Sequence, residues 1–353
     1  MLLSLEGVPL MMGRRRLGAT DLDVSEIGFG GAPLGDLFAR LDDELAIQAA
    51  AVALDHGITL FDTSPHYGNG LSEHRLGTAL RRVARERFVI STKVGRVMSP
   101  NERPASPVPS RDVASPGFAG GFPHAARFDY AYDGAMRSFE QSLLRLGLDR
   151  IDILLIHDAD VWTHGTRFEA RFQEAMDGAY RALSDLRSQG VVGAIGVGVN
   201  EADTCTRFLQ AGKFDCVMLA GRYSLLDQAA IDEFFGVAER QSVGVLLGGV
   251  FNSGILATGP REGATYDYKP APPAVMERAR QIEEICRGHE VLLADAAVQF
   301  PLAHPSVASV VLGATIPTEV ARNTKSASRP IPQALWADLK AANLLRADAP
   351  TPP

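Results

Sequence analysis

The sequence predicts an α/β fold: a single (β/α)8 barrel of the TIM type, with an N-terminal extension and a long loop after the third strand. Three observations lead there. Eight short apolar runs, bounded by Gly, Pro, Ser or Asn, alternate with stretches of helical apolar spacing. No composition shift or linker divides the 353 residues, although length alone would suggest about two domains. Asp62, Lys93, His157 and Asn200 stand at or just beyond the ends of four runs, and barrels of this kind carry their chemistry at the carboxyl ends of the strands.

The elements follow in order. Val24–Gly30 forms the first strand, and 42–56 a helix with apolar residues at Leu45, Ala49, Val52 and Ala53, stopped by Gly57. Residues 59–62 form the second strand; Ser72 is an N-cap candidate for a helix running through 75–83. The third strand spans 88–93. Between 96 and 129 the pattern breaks, with Pro100, Pro104, Pro107, Pro109, Pro116 and Pro123 among glycines. So long a structureless stretch is a lid over the site or a disordered surface loop. Tyr132–Leu146 is an amphipathic helix, 151–156 the fourth strand, 158–166 an irregular piece with Trp162 and His164, and 172–188 a helix. Ala194–Val199, 216–219 and 243–247 supply strands five to seven, with helices over 204–211 and 229–240. Helices at 273–287 and 294–302 precede the eighth strand, 307–312, and Thr318–Asn323 opens the last helix.

Composition narrows the function. The chain is 46% hydrophobic and 22% charged, ordinary for a globular domain. A net charge of −7 and a pI near 5.7 argue against nucleic-acid binding. No stretch approaches the 18 apolar residues of a membrane span. In residues 1–12 a mildly apolar segment precedes the basic cluster Arg14-Arg15-Arg16, the reverse of a signal peptide, and no apolar segment follows for a twin-arginine signal. Residues 1–15 are expected to fray, or to reflect a start upstream of Met11 or Met12. Three widely spaced cysteines, Cys205, Cys216 and Cys286, without a CxxC motif, favour reduced thiols and a cytoplasmic location.

The chemistry centres on Asp62, Tyr67, Lys93 and His157. Each has a bland alternative: a turn acid, a packed aromatic, a solvated lysine, a satisfied histidine at a barrel rim. Together, four ionisable groups at the strand ends of one barrel form a costly buried cluster unless they are paired. An unperturbed tyrosine, with a pKa of about 10, is a poor base near neutrality. A neighbouring ammonium favours the phenolate, an aspartate keeps that lysine charged and fixed, and a histidine orients the reacting oxygen. Such a set suits proton transfer at an alcohol or carbonyl oxygen and supplies neither a metal site nor an acyl nucleophile. No strand-linked GxGxxG is present; the glycine-rich end of the seventh strand, 248–254, is either a pyrophosphate cradle or a plain turn.

Phe61-Asp62-Thr63-Ser64-Pro65-His66-Tyr67-Gly68, Ser91-Thr92-Lys93-Val94-Gly95, Leu154-Leu155-Ile156-His157 and Ile195-Gly196-Val197 resemble the aldo-keto reductases, from Arg16 to about Leu345. The resemblance implies a (β/α)8 barrel using NAD(H) or NADP(H) and a catalytic tetrad at Asp62, Tyr67, Lys93 and His157. Leu71-Ser72-Glu73, 129–134, Gly198-Val199-Asn200 and 251–256 look like a subgroup that holds D-threo-aldose (L-fucose) 1-dehydrogenases, L-galactose dehydrogenases and pyridoxal 4-dehydrogenases. It implies oxidation of a cyclic hemiacetal to a lactone. Alternatives are a pyridoxal-oxidising enzyme and a cofactor-bound regulatory subunit with little turnover.

Carried over residue by residue, the resemblance places cofactor contacts at Asp62, Asn200, Gly249, Phe251, Asn252, Ser253, Gly254, Leu256, Gly313, Glu319 and Asn323. It places substrate contacts at His66, Tyr67, His157 and Trp162. The chain departs from common reductases at Gly248, where an aromatic ring usually stacks on the nicotinamide, and at Ala220, where a glutamine is usual; Arg222 and Tyr223 are further candidates. Glu319 stands where NADP enzymes carry an arginine, so NAD is the expected cofactor, with NADP possible. The expected partner is a small sugar or other cyclic hemiacetal, and the expected state a monomer or weak homodimer.

Overall fold

A computed structural model describes residues 12–99 and 118–353. Eight parallel strands close into a barrel: β1 (Ile27–Gly30), β2 (Leu60–Asp62), β3 (Val89–Val94), β4 (Ile153–His157), β5 (Ala194–Val199), β6 (Cys216–Ala220), β7 (Gly244–Gly248) and β8 (Val307–Gly313). Each pairs with its neighbours in chain order, and β8 returns to β1. The expected strands all form, with ends shifted by up to three residues.

Strand alternation decides which side chains reach the interior. Leu60, Ile153 and Leu155 belong to the inner cluster, with Met218 and Leu246; Phe61, Ile90, Leu154 and Ile156 pack outward against the helices. Two residues on from Leu60 is Asp62, and two on from Leu155 is His157. Lys93 shares its parity with Ser91, the register partner of Asp62, and is itself opposite Leu155. His157 is opposite Gly198. The three functional side chains therefore form the top inward layer of three adjacent strands.

The bottom of the barrel is plugged. Arg14–Arg16 pairs antiparallel with Asp23–Ser25, so the expected first strand is split and the expected fraying does not hold at residues 14 and 15. The Arg15 guanidinium donates to the carbonyls of Leu302 (2.7 Å) and Val307 (3.0 Å) and pairs with Glu26. Leu17 and Val24 from this hairpin are fully buried in the inner cluster.

Other expectations change. Ser72 caps nothing: the helix Leu71–Leu80 begins at left-handed Gly70, and the Ser72 hydroxyl donates to the Gly31 carbonyl (2.7 Å). The 96–129 stretch has an ordered base, because Arg96–Ser99 pairs antiparallel with Ala125–Phe128; its proline-rich middle, 100–117, lies outside the described residues. The helix expected at 172–188 starts at Phe168 and contains a π turn at Ala175–Ala179. A further helix, Gln333–Ala341, follows Pro317–Ser328 and buries Trp336.

Packing between the helices leaves no room at Gly77. A β-carbon there would stand 2.1 Å from the Leu146 carbonyl oxygen, at the end of the helix Tyr132–Leu146. Gly77→Ala is expected to lower stability by about 1–3 kcal/mol, read from urea unfolding; an unchanged midpoint would mean that the two helices separate freely.

Candidate active site

Lys93 and Asp62 are almost completely buried, at 1% and 3% exposure. The Lys93 ammonium donates to both Asp62 oxygens (2.9 and 2.7 Å) and to the Thr63 carbonyl (2.6 Å), using all three of its protons. Ser91 donates to Asp62 Oδ1 at 2.8 Å. Burial pushes the Asp62 carboxyl up from its ordinary range, while the Lys93 and Ser91 contacts pull it down.

His157 is held by groups that the sequence did not announce. Its Nδ1 lies 3.1 Å from an Arg96 guanidinium nitrogen and 3.0 Å from Ser64 Oγ. A guanidinium only donates, so Nδ1 must accept and the ring proton sits on Nε2. Burial, then Arg96 and Lys93, push the imidazole well below its usual pKa, so the ring is neutral near pH 7. Arg96 also donates to Asp158 (2.7 Å). Tyr130 donates to the His157 carbonyl (2.7 Å), and the Tyr130 carbonyl accepts from Ala179 in the π turn. Ser138 donates to the Arg96 carbonyl (2.9 Å), anchoring the start of the hairpin.

Tyr67 stands on the loop after β2. Its amide donates to the Ser64 carbonyl, and Gly68, Asn69 and Gly70 after it are all left-handed. The Lys93 ammonium lies 4.9 Å from its ring centre, and the His157 ring is 6.0 Å away at 86°. The phenol is pushed well above its usual pKa, first by burial and then by Asp62 and Asp158; Arg96 opposes them. The net direction is therefore up: in this structure burial and the two carboxylates outweigh the cations nearby. His66, Tyr67, Lys93, His157, Trp162 and Asn200 line one cleft of about 690 Å³, counted to its open mouth, with Phe118 and Tyr268 over it.

The sequence profile of the Aldo/keto reductase family matches residues 26–344. The chain belongs to the aldo/keto reductase family. It is 41% identical to pyridoxal 4-dehydrogenase of Microbacterium luteolum over 94% of this chain and 98% of that protein. It is 38% identical to D-threo-aldose 1-dehydrogenase of a Pseudomonas species over 95% and 97%. A solved aldo-keto reductase of Bacillus halodurans, in its holo form, shares the fold with a TM-score of 0.74 at 24% identity, covering 96% of this chain and 98% of that one. The chain is an oxidoreductase of a family that uses nicotinamide cofactors; both curated relatives are named as dehydrogenases, which does not favour the regulatory-subunit alternative.

The mouth of this aldo/keto reductase suits a flat ring. Gly198, Ala220 and Gly248 leave the wall beside Lys93 without bulk: a β-carbon at Gly198 would meet Lys93 Cε at 3.5 Å, and one at Gly248 would meet only Ala220. After β7, right-handed Phe251 is followed by left-handed Asn252, Ser253 and Gly254; within this turn the Asn252 amide donates to the Gly249 carbonyl (2.8 Å) and the Gly254 amide to the Phe251 carbonyl (3.0 Å). A β-carbon at Gly254 would meet nothing within 4 Å, and Gly249 is also left-handed. The wall without bulk at Gly198 and the open space at Gly254 leave room for a nicotinamide dinucleotide.

Not every expected contact survives. Leu256 has its side chain fully buried in the core and its amide bonded to the Phe251 carbonyl. Asn252 turns inward, accepting from Ser224 (2.6 Å) and donating to the Gly221 carbonyl (3.2 Å), and its amide donates to the Gly249 carbonyl (2.8 Å), so its side chain is not offered to a ligand. Tyr223 lies in the core against Phe235 and Phe300. Ser253 holds the hairpin Thr265–Pro270: its hydroxyl accepts from the Tyr268 amide (2.9 Å). Asn323 donates to the Gly313 carbonyl (3.1 Å), pinning the end of β8. Glu319 accepts from the Thr315 amide (2.8 Å) and hydroxyl (2.9 Å). Arg222 joins the rim, donating to the Asn200 carbonyl (2.9 Å), pairing with Asp267 (3.1 Å) and lying over Trp162. Among the described residues no helix is long and apolar enough to cross a membrane, and no group of His, Cys, Asp and Glu could hold a metal. The three cysteines are buried free thiols.

The Arg96 contact fixes an observable. In ¹⁵N NMR the His157 ring is expected as the neutral Nε2–H tautomer, unchanged from about pH 7.5 to about pH 5.5, where an ordinary histidine takes up its second proton. Protonation near pH 6.5, or an Nδ1–H tautomer, would contradict the arrangement.

Proposed function

We propose that the chain oxidises the C1 hemiacetal hydroxyl of a cyclic aldose, of the L-fucose, D-arabinose or L-galactose type, to the lactone, with NAD preferred over NADP. The observation that carries this reading is the convergence of Tyr67, Lys93 and the Nε2 face of His157 on one cleft. The 38% identical aldose dehydrogenase supports the substrate class. A bound nicotinamide supplies the acceptor for the C1 hydride. Tyr67, as phenolate, takes the hydroxyl proton while the C1–O bond becomes a carbonyl. His157 donates from Nε2 to the same oxygen and sets its orientation. Lys93, held by Asp62, presents its charge to the Tyr67 ring. His66 and Trp162 flank the sugar. The 41% identical relative is named a pyridoxal 4-dehydrogenase, and oxidation of the hemiacetal of pyridoxal, the second reading, would use the same proton and hydride transfers. A panel of free sugars and pyridoxal, run with both cofactors, separates the two; no turnover with any sugar would end the aldose reading.

Tyr67→Phe is expected to lose kcat by roughly 10²–10⁴ and to keep cofactor affinity in a fluorescence titration. Because burial and two carboxylates hold the phenol protonated, the reactive phenolate grows with pH. Oxidation kcat/KM should therefore rise from neutral into alkaline pH, by up to about tenfold per unit, whereas reduction, which needs the phenol, should not. A flat oxidation profile in wild type would remove Tyr67 as the base.

The cofactor preference rests on Glu319. Its carboxylate is anchored by Thr315, and Arg322 lies 3.8 Å away, two-thirds exposed. An acid there repels a 2′-phosphate and accepts bonds from ribose hydroxyls, as acids do in other NAD sites. A preference for NAD of at least about tenfold in kcat/KM, about 1.4 kcal/mol, is expected, and Glu319→Arg should shrink or reverse it. Steady-state rates showing a wild-type preference for NADP would overturn the role of Glu319.

A further inference from the structure

We propose that Asp158 is a specificity-determining residue whose carboxylate accepts a hydrogen bond from the substrate hydroxyl on the carbon next to the reacting one. The inference rests on the aldose reading above and deepens it.

The backbone shows the first reason. Strand alternation would turn the residue after His157 away from the barrel interior. Asp158 instead adopts φ +52°, a left-handed conformation unusual for a residue other than glycine, and its amide donates to the Gly198 carbonyl (3.0 Å). It thereby lines the cleft beside His157, with Oδ1 3.4 Å from Nε2. Non-glycine residues held in this region cluster at ligand sites.

The second reason is preorganisation. Arg96 donates to Asp158 Oδ2 at 2.7 Å, fixing a carboxylate whose side chain is only 12% exposed. A carboxylate offers about four acceptor positions, and this bond takes one. Its charge acts on Tyr67, Tyr268 and His66, which also line the cleft, and the carboxylate borders His157 Nε2.

The third reason is the geometry of the reaction. The reacting oxygen must lie between the Tyr67 hydroxyl and His157 Nε2. An acceptor adjoining Nε2 then meets the neighbouring ring substituent. In an aldose that substituent is a hydroxyl, a donor matched to a charged acceptor.

The test crosses a substitution with a substrate deletion. Steady-state kcat/KM is measured for wild type and Asp158→Asn with the fastest aldose of the panel and with its 2-deoxy analogue. In wild type, removing the hydroxyl should cost about 10–10²-fold, the range for a lost hydrogen bond to a charged group. In Asp158→Asn the parent sugar should fall by a similar factor, and the ratio of parent to deoxy sugar should shrink to within about threefold. If Asp158→Asn does not fold, Asp158→Glu, which keeps a charge for Arg96 but displaces the acceptor, should compress the same ratio. A variant that slows both sugars equally, preserving the ratio, would make Asp158 only a support for Arg96 and overturn the proposal. So would a wild type that oxidises both sugars alike. A wild type that oxidises pyridoxal but no aldose would overturn the aldose reading itself, an outcome distinct from either.

Discussion

The active end of this barrel depends on keeping a lysine charge where water does not reach. Removing an ammonium and a carboxylate from water costs several kcal/mol per ion, and attraction alone repays this only with good geometry and further hydrogen bonds. Lys93 meets the condition with three acceptors, two from Asp62 and one from Thr63. Those partners come from β2 and its exit, and Ser91 from β3 adds a bond to Asp62. The pair is therefore a fastening between adjacent strands as well as a source of charge. It also limits Lys93: with its three protons engaged, it faces the Tyr67 ring at 4.9 Å as a field rather than as a donor.

A second buried ion pair balances the first. Arg96 and Asp158 flank His157 as Lys93 and Asp62 flank Tyr67. The cations and anions act in opposite directions on the same groups. Arg96 pushes His157 and His66 toward the neutral form and opposes the rise of the Tyr67 pKa, while Asp62 and Asp158 contribute to that rise. At neutral pH the result is a neutral histidine that donates from Nε2 and a protonated phenol. Both can donate to a carbonyl oxygen, so this protonation state suits reduction, and oxidation requires the phenol to lose its proton first.

Much of this was legible in the sequence because strand period and chemistry coincide. Asp62, Lys93 and His157 each end an apolar run, and alternation carries them to one inward layer. Arg96 and Asp158 were not legible. Arg96 opens a stretch whose prolines mark it as irregular, although its first residues pair with Ala125–Phe128. Asp158 reaches the cleft only through a left-handed backbone turn, which no residue type there announces. Ser72 and Leu256 were misassigned for a shared reason: a cap serine or a loop leucine has the same letter whether it faces solvent, ligand or core. The N-terminal hairpin escaped notice because Arg14-Arg15-Arg16 is charged, yet Arg15 serves backbone carbonyls at the barrel floor.

Tyr67, unlike its partners, is placed by backbone contact rather than by a strand. The loop after β2 passes so close to the loop after β1 that a β-carbon on Gly35 would stand 2.5 Å from the Tyr67 carbonyl carbon, and one on Gly68 2.5 Å from the Gly35 carbonyl oxygen. Asn69 takes a left-handed conformation, and strain of this kind costs about 1–3 kcal/mol per residue and persists only where the surroundings enforce it. They do so from the third loop: the Phe122 amide donates to the Gly68 carbonyl, Asn69 donates to the His124 carbonyl, and Phe118 lies against the Tyr67 ring. The segment returning from the proline-rich stretch is thus part of the tyrosine's mounting. Three loops converge on one phenol, while Lys93 and His157 stand on rigid strands. The proton-transfer group is thus held by loops, and the Lys93–Asp62 pair beside it by the barrel strands.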